Sequence, residues 1–340
     1  MRHQMLQAAG PLLLVSLAVA QNSPHLGNLR QLTFGGQNAE AYWSPDGRRL
    51  IFQSTREPYG CDQIFIMNAD GTDVRLVSTG KGRTTCGYFL ADGKHILYSS
   101  THEAAAECPP PPDRSQSKVY VWAVYPSYDI YLATDQGRIV KKLTHTPGYD
   151  AEATVCWKTG KIVYTSLASG DLDLWVMNSD GTGKRRITNR LGYDGGGVFS
   201  RDGSKLVWRA HYPQERAAVS EYKQLLSRHL VAPSRMEIFL ADGDGRNPRQ
   251  LTNLGCASFA PTFTPDGKKI VFASNFHACD TRNFELYMIN LDGSGLERLT
   301  NLGGFVSFPE FSPDGKYLVF ASDYGAKNRR EFNIFVAEWK

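Results

Sequence analysis

Blocks of like charge, long apolar runs and catalytic signatures are all scarce in these 340 residues. Lysine and arginine number 38 against 34 aspartates and glutamates, a formal charge of +4 with no Lys/Arg run of five or more behind it. That balance argues against nucleic acid as a partner. One apolar stretch stands out, Pro11 to Ala20, preceded by Arg2 and His3. A membrane span needs about 20 apolar residues, and Gln4 and Gln7 interrupt this one early, so no stable membrane insertion is expected. The stretch ends Ala18-Val19-Ala20, the small-residue pattern of a secretory signal peptide, so residues 1–20 are expected to direct export and stand outside the fold. No cysteine follows it, which argues against a lipoprotein anchor. Gly-x-Ser-x-Gly, His-Glu-x-x-His and a Walker loop are missing; Gly181-Thr182-Gly183-Lys184 lacks the upstream glycine. Six cysteines without a Cys-x-x-Cys pair argue against a zinc site, and in an exported chain they permit disulfides.

What the chain has instead is repetition. Ser44-Pro45-Asp46-Gly47 precedes Leu50-Ile51-Phe52, and Leu90-Ala91-Asp92-Gly93 precedes Ile96-Leu97-Tyr98. Lys158-Thr159-Gly160, Ser200-Arg201-Asp202-Gly203, Thr264-Pro265-Asp266-Gly267 and Ser312-Pro313-Asp314-Gly315 introduce four more runs of the same kind. Proline fixes φ, aspartate caps the turn and glycine accepts positive φ, so each tetrapeptide closes a hairpin. An aromatic residue precedes the turn in most copies (Trp43, Phe89, Phe199, Phe263, Phe311), and Cys156 is read at that place in the third. A third alternating run then ends in a second turn, as Ile64-Phe65-Ile66-Met67 does before Asn68-Ala69-Asp70-Gly71. A short outer strand follows, such as Arg186-Ile187-Thr188 or Arg298-Leu299-Thr300. Four hairpin-linked strands repeated six times read as an all-β, six-bladed propeller.

The two ends are complementary. The sixth copy reaches its third strand at Asn333-Ile334-Phe335-Val336 and lacks a fourth, whereas Arg30-Gln31-Leu32-Thr33 is an outer strand standing before the first copy. The N-terminal strand is therefore expected to close the last blade, making residues 21–340 one domain. Two intervals exceed the others, Gly93 to Gly160 and Gly203 to Gly267, and both surpluses fall after a second strand, on one face of the disc. The first insert carries Pro109 to Pro112, Tyr120, Trp122, Tyr125 and Tyr128. The second, from Pro213 to Ser234, spaces Val219, Tyr222, Leu225, Leu226 and Leu230 as one short helix. Together they are expected to wall a cleft over blade 3.

Loop position sorts the cysteines. Cys86 is read before an inner strand and Cys108 after a second strand of blade 2, with Cys256 and Cys279 in the same two kinds of loop in blade 5. The expected bridges are Cys86–Cys108 and Cys256–Cys279, with Cys61 a competitor in blade 2 and Cys156 a buried free thiol. Histidines and carboxylates also gather near the insert-bearing face: His102, Asp150, Glu152, Asp194, Arg209 and His211 form the expected ligand-binding set, with Glu40 and His277 nearby. Convergent polar groups at a concave mouth suit a polar ligand. No metal or cofactor is expected.

The repeat Trp43-Ser44-Pro45-Asp46-Gly47-Arg48-Arg49-Leu50-Ile51-Phe52, with Ile66-Met67-Asn68-Ala69-Asp70-Gly71 and Arg298-Leu299-Thr300, resembles the TolB-type propeller repeat over residues 29–340. The resemblance implies a periplasmic, non-enzymatic scaffold that binds envelope proteins; TolB contacts the peptidoglycan-associated lipoprotein Pal and the inner-membrane protein TolA. TolB also carries an α/β domain before its propeller, whereas here the first blade strand follows the expected signal peptide almost directly. The expected function is a monomeric binding scaffold taking an envelope protein or a small ligand on the insert-bearing face. Similar repeats occur in oligogalacturonate lyases, which hold a metal with histidines at the propeller mouth, so a metal-dependent enzyme using His102, His211 and His277 is the alternative.

Overall fold

The computed structural model describes residues 23–114, 119–328 and 331–340; the expected signal peptide lies outside them. Six four-stranded antiparallel sheets follow one another around an axis. Their innermost strands are Gln37–Trp43, Thr84–Phe89, Asp150–Val155, Tyr193–Phe199, Ser258–Phe263 and Val306–Phe311. The tetrapeptide turns close the first hairpin of each blade as their residues dictate. In blade 1, Gly47 has φ +69°, its N–H donates to Ser44 O at 2.8 Å, and Asp46 Oδ1 accepts from Arg48 N at 3.1 Å. In blade 3, Cys156 takes the place of the turn serine, and Val155 occupies the aromatic position expected for it. Cys156 is nonetheless buried and free.

The ring closes as the two chain ends require. Leu26–Gln31 pairs with Asn333–Trp339, placing Arg30 opposite Val336 and Gln31 opposite Phe335. A side-chain staple recurs in all six blades. A serine or threonine after the outer strand accepts from a third-strand N–H and donates to the first polar residue of that strand, as Thr252 does with Ile238 N and Glu237 Oε2. Blade 6 builds the same staple from both termini: Ile334 N donates to Thr33 Oγ1, which donates to Asn333 Oδ1. Apolar side chains on both faces of each sheet are buried between neighbouring blades. Leu50, Phe52 and Phe65 of blade 1, for example, pack with Val319, Ile334 and Val336 of blade 6.

The inserts behave as a pair. The second forms a helix at Arg216–Ser227, burying Tyr222 and Leu225. Leu230, expected at the end of that helix, belongs instead to the short strand Leu230–Val231, which pairs with Trp122–Ala123 of the first insert. Val121, Leu225 and Leu230 form a small core beneath this ribbon. Tyr222 donates to Asp171 Oδ1 at 2.5 Å and so pins the helix on blade 3. The inserts of blades 2 and 4 therefore bridge across blade 3.

One expected disulfide is present and one is replaced. Cys256 joins Cys279, but Cys108 joins Cys61, with Cα atoms 6.0 Å apart, and Cys86 stays free. The reason is register. Cys86 lies inside the strand Thr84–Phe89, at a bulge that directs it into the central channel. Cys61 lies on the blade 1 loop that meets the root of the first insert.

Candidate functional site

Each inner strand carries one bulge, and each bulge holds a residue in the left-handed region: Glu40, Cys86, Glu152, Gly196, Ala260 and Phe308, with φ between +51° and +59°. The extra residue turns its side chain toward the axis. These six form a ring inside a well of about 790 Å³. The ring is lopsided. Blades 1 to 4 contribute Glu40, Cys86, Glu152 and, through the gap left by Gly196, Arg209. Blades 5 and 6 contribute Ala260, Phe308 and the neighbouring Phe259, Phe284 and Phe305.

Arg209 is the best-held group in the well. Its Nη2 donates to Glu152 Oε1 and to Tyr193 Oη, the latter at 2.6 Å. Its guanidinium carbon lies 5.2 Å from the Tyr193 ring centre and 5.3 Å from that of Trp122, which the first insert lowers onto it. Glu152 Oε2 also accepts from Gly196 N at 3.0 Å and Thr165 Oγ1 at 2.7 Å. The run Gly195-Gly196-Gly197 makes this possible: a Cβ on Gly195 would stand 2.6 Å from Glu152 Oε2, and one on Gly196 would overlap Arg209 Nη1. Three glycines in a strand were the available sequence signal for this close approach.

Above the ring, Tyr120 sits at the mouth between Arg114 and Arg282, whose guanidinium carbons lie 5.0 and 5.5 Å from its ring centre. On the short-turn side, Arg201 stands where three other copies have proline. It reaches from blade 4 to blade 6, donating to Ser312 O at 2.6 Å and Pro313 O at 2.9 Å. Glu310, one layer below Phe308, accepts from Thr262 Oγ1 at 3.0 Å. Burial pushes both Glu40 and Glu310 up to about 7, and the like charge of Glu152 adds to the shift at Glu40.

Of the six expected ligand-binding residues, Glu152 and Arg209 line this well; the other four do not. Asp194 is fully buried within blade 4, accepting from Trp208 Nε1 at 2.7 Å and Tyr212 Oη at 2.5 Å. Asp150 is buried at the matching place in blade 3, where desolvation raises it to about 6. Asp150 and Asp194 stand at or next to the first residue of their inner strands, yet the pleat turns them into their own blades. His102 packs on Tyr131 with ring centres 4.4 Å apart, and His211 Nδ1 bonds Arg235 O at 2.8 Å. His277 Nδ1 lies 3.0 Å from Tyr287 Oη in blade 5. The three histidines are thus held in three separate blades. Among the described residues, no group of three or more His, Cys, Asp or Glu is arranged to hold a metal.

No protein-family model matches the chain, and no curated protein does. Solved structures do. A protein described as a TolB from Agrobacterium tumefaciens superposes with a TM-score of 0.58 at 17% identity, over 92% of this chain and 97% of that one. TolB from Acinetobacter baumannii gives 0.56 at 18%, over 90% of this chain and 64% of that one. An oligogalacturonate lyase from Vibrio parahaemolyticus gives 0.52 at 14%, over 92% and 93%. At such identities the likeness speaks for the fold, and by that fold the chain is a TolB-like six-bladed β-propeller.

Proposed function

We propose that the chain is exported and acts as a non-enzymatic binding scaffold in the cell envelope, with the lidded well as its binding site. The observation that carries this reading is the pairing of the two inserts over a well of small-molecule size, about 790 Å³. Two disulfides suit an oxidising compartment. The enzyme alternative needs His102, His211 and His277 at one site; none of them lines the well, and each is engaged by its own blade, which argues against it.

Ala260→Phe offers a test that respects the fold, because Phe308 already occupies the equivalent bulge at φ +57°. The full chain, screened against a fragment library by ligand-observed NMR, is expected to bind fragments that Ala260→Phe no longer binds. Osmotic-shock fractionation is expected to recover the protein outside the cytoplasm, with residues 1–20 removed. Fragment binding indifferent to Ala260→Phe, or a protein retained in the cytoplasm, would overturn the proposal.

A further inference from the structure

Charge and surface in the well point to a particular ligand, on the reading that the well is a binding site. Two of its acids are answered by cations: Asp62 by Arg83 at 2.9 Å, and Glu152 by Arg209. Glu40 and Glu310 line the same well and, among the described residues, form no ion pair. Arg201, whose charge reaches Glu310, is already bound to the Ser312 and Pro313 carbonyls. The deep part of the well thus holds carboxyl groups in excess of cations, whereas the extra arginines, Arg114 and Arg282, stand at the wet rim and stack on Tyr120.

The remaining wall is aromatic. Phe259 lies within 6.2 Å, ring centre to ring centre, of Trp122, Phe284, Phe305 and Phe308. Phe284, Phe305 and Phe308 are only half-buried, leaving apolar surface turned to the well. The molecule already shows how this well treats a cation, since Arg209 rests against a carboxylate and two aromatic faces at once. Glu40 stands in the same ring of bulge residues, beside the same aromatic lining, and lacks its cation.

We infer that the well binds a small organic ammonium compound, its charged nitrogen against Glu40 and its aromatic or alkyl body against the phenylalanines of blades 5 and 6. A neutral ligand leaves an ionised Glu40 with the Cys86 thiol as its hydrogen-bond partner and no counter-charge, and an anion opposes it. The groups facing Glu40 are Cys86, Glu152, Arg209 and Asp62. Burial raises Glu40 to about 7, so an ammonium ligand draws the proton from Glu40 and binds more weakly at pH 5.5 than at pH 8.

Three probes with one body separate charge from shape: 4-phenylbutylamine, 4-phenylbutanol and 4-phenylbutyrate, titrated calorimetrically into the full chain. The amine is expected to bind about tenfold or more tightly than the other two, with Glu40→Gln removing about that factor for the amine and leaving the alcohol unchanged. Equal binding of the three, preference for the butyrate, or an amine affinity untouched by Glu40→Gln would overturn the ammonium assignment and leave the well standing as a site for another chemistry. If none of the three binds, the assignment also falls. The broader binding reading is judged separately, by the effect of Ala260→Phe on the fragment screen.

Discussion

At the scale of single residues, the inner-strand bulge decides what reaches the axis. It rotates one residue per blade into the well, and the neighbours before and after it serve the blade. Glu152 reached the well and Asp150, two residues earlier, did not, although both stand in the same short acidic run. His102 and His211 were misplaced for a related reason: the end of a strand fixes the face of the disc but not whether a side chain turns to the axis or to its own blade. Gly196 is where this can be tested. Gly196→Ala brings two costs, an L-residue at φ +59° and an overlap with Arg209. Gly170→Ala isolates the first, because Gly170 has φ +85° with nothing within 4 Å. Backbone strain alone costs about 1 kcal/mol. Urea unfolding is expected to show Gly196→Ala losing about 2–3 kcal/mol, clearly more than Gly170→Ala, because the Arg209–Glu152 pair must shift while remaining buried. Equal losses would mean that the guanidinium does not depend on the missing Cβ.

At the scale of elements, hairpins were the most legible feature, since Pro-Asp-Gly turns and alternating runs act locally. The outer strands were legible through their terminal threonine, whose staple accounts for the repeated Leu-Thr and Ile-Thr endings. The insert ribbon was not, because Trp122–Ala123 and Leu230–Val231 are two-residue strands brought together only by the ring. The blade 2 disulfide was misread for a comparable reason. Cys86 was aligned with Cys256, but the bulge register matches Cys86 with Ala260 and leaves Cys256 in the loop before its strand. The Cys61–Cys108 bridge spans 47 residues of sequence and ties the root of the first insert to blade 1. Cys108→Ser is therefore expected to free that insert, at a stability cost of about 2–4 kcal/mol. Limited proteolysis should show faster cleavage between residues 108 and 120, whereas Cys86→Ser leaves cleavage unchanged. Protection of that segment in Cys108→Ser would show that the pairing with Leu230–Val231 holds the insert by itself.

At the scale of the whole molecule, closure and proton balance govern stability. Deleting residues 21–33 removes the outer strand of blade 6 and its Thr33 staple, and is expected to cost several kcal/mol in urea unfolding; an unchanged midpoint would mean that the ring does not depend on its N-terminal clasp. The proton balance follows from where the acids lie. Burial raises Glu40, Glu310 and Asp194 to about 7 and Asp150 to about 6, and it raises Asp173 as well. A folded state that holds these protons more tightly than the unfolded chain is favoured at low pH and loses that advantage as pH rises through roughly 4 to 7. His102 and His211 act oppositely, because burial lowers both and their contribution is lost as pH falls through the same range. Five acids against two histidines leave a net decline as pH rises. Below about pH 4 the sign reverses, as the turn aspartates Asp46, Asp202, Asp266 and Asp314, held low chiefly by hydrogen bonds from their own turns, become protonated. The fold is therefore expected to be most stable near pH 5, with an unfolding free energy from urea titration that is lower by several kcal/mol at pH 8. The double substitution Glu40→Gln with Glu310→Gln should flatten that slope, since it removes two of the acids whose ionisation the well resists. A midpoint that rises from pH 5 to pH 8 in the unaltered protein would show that the well leaves these carboxyl groups better solvated than its walls suggest.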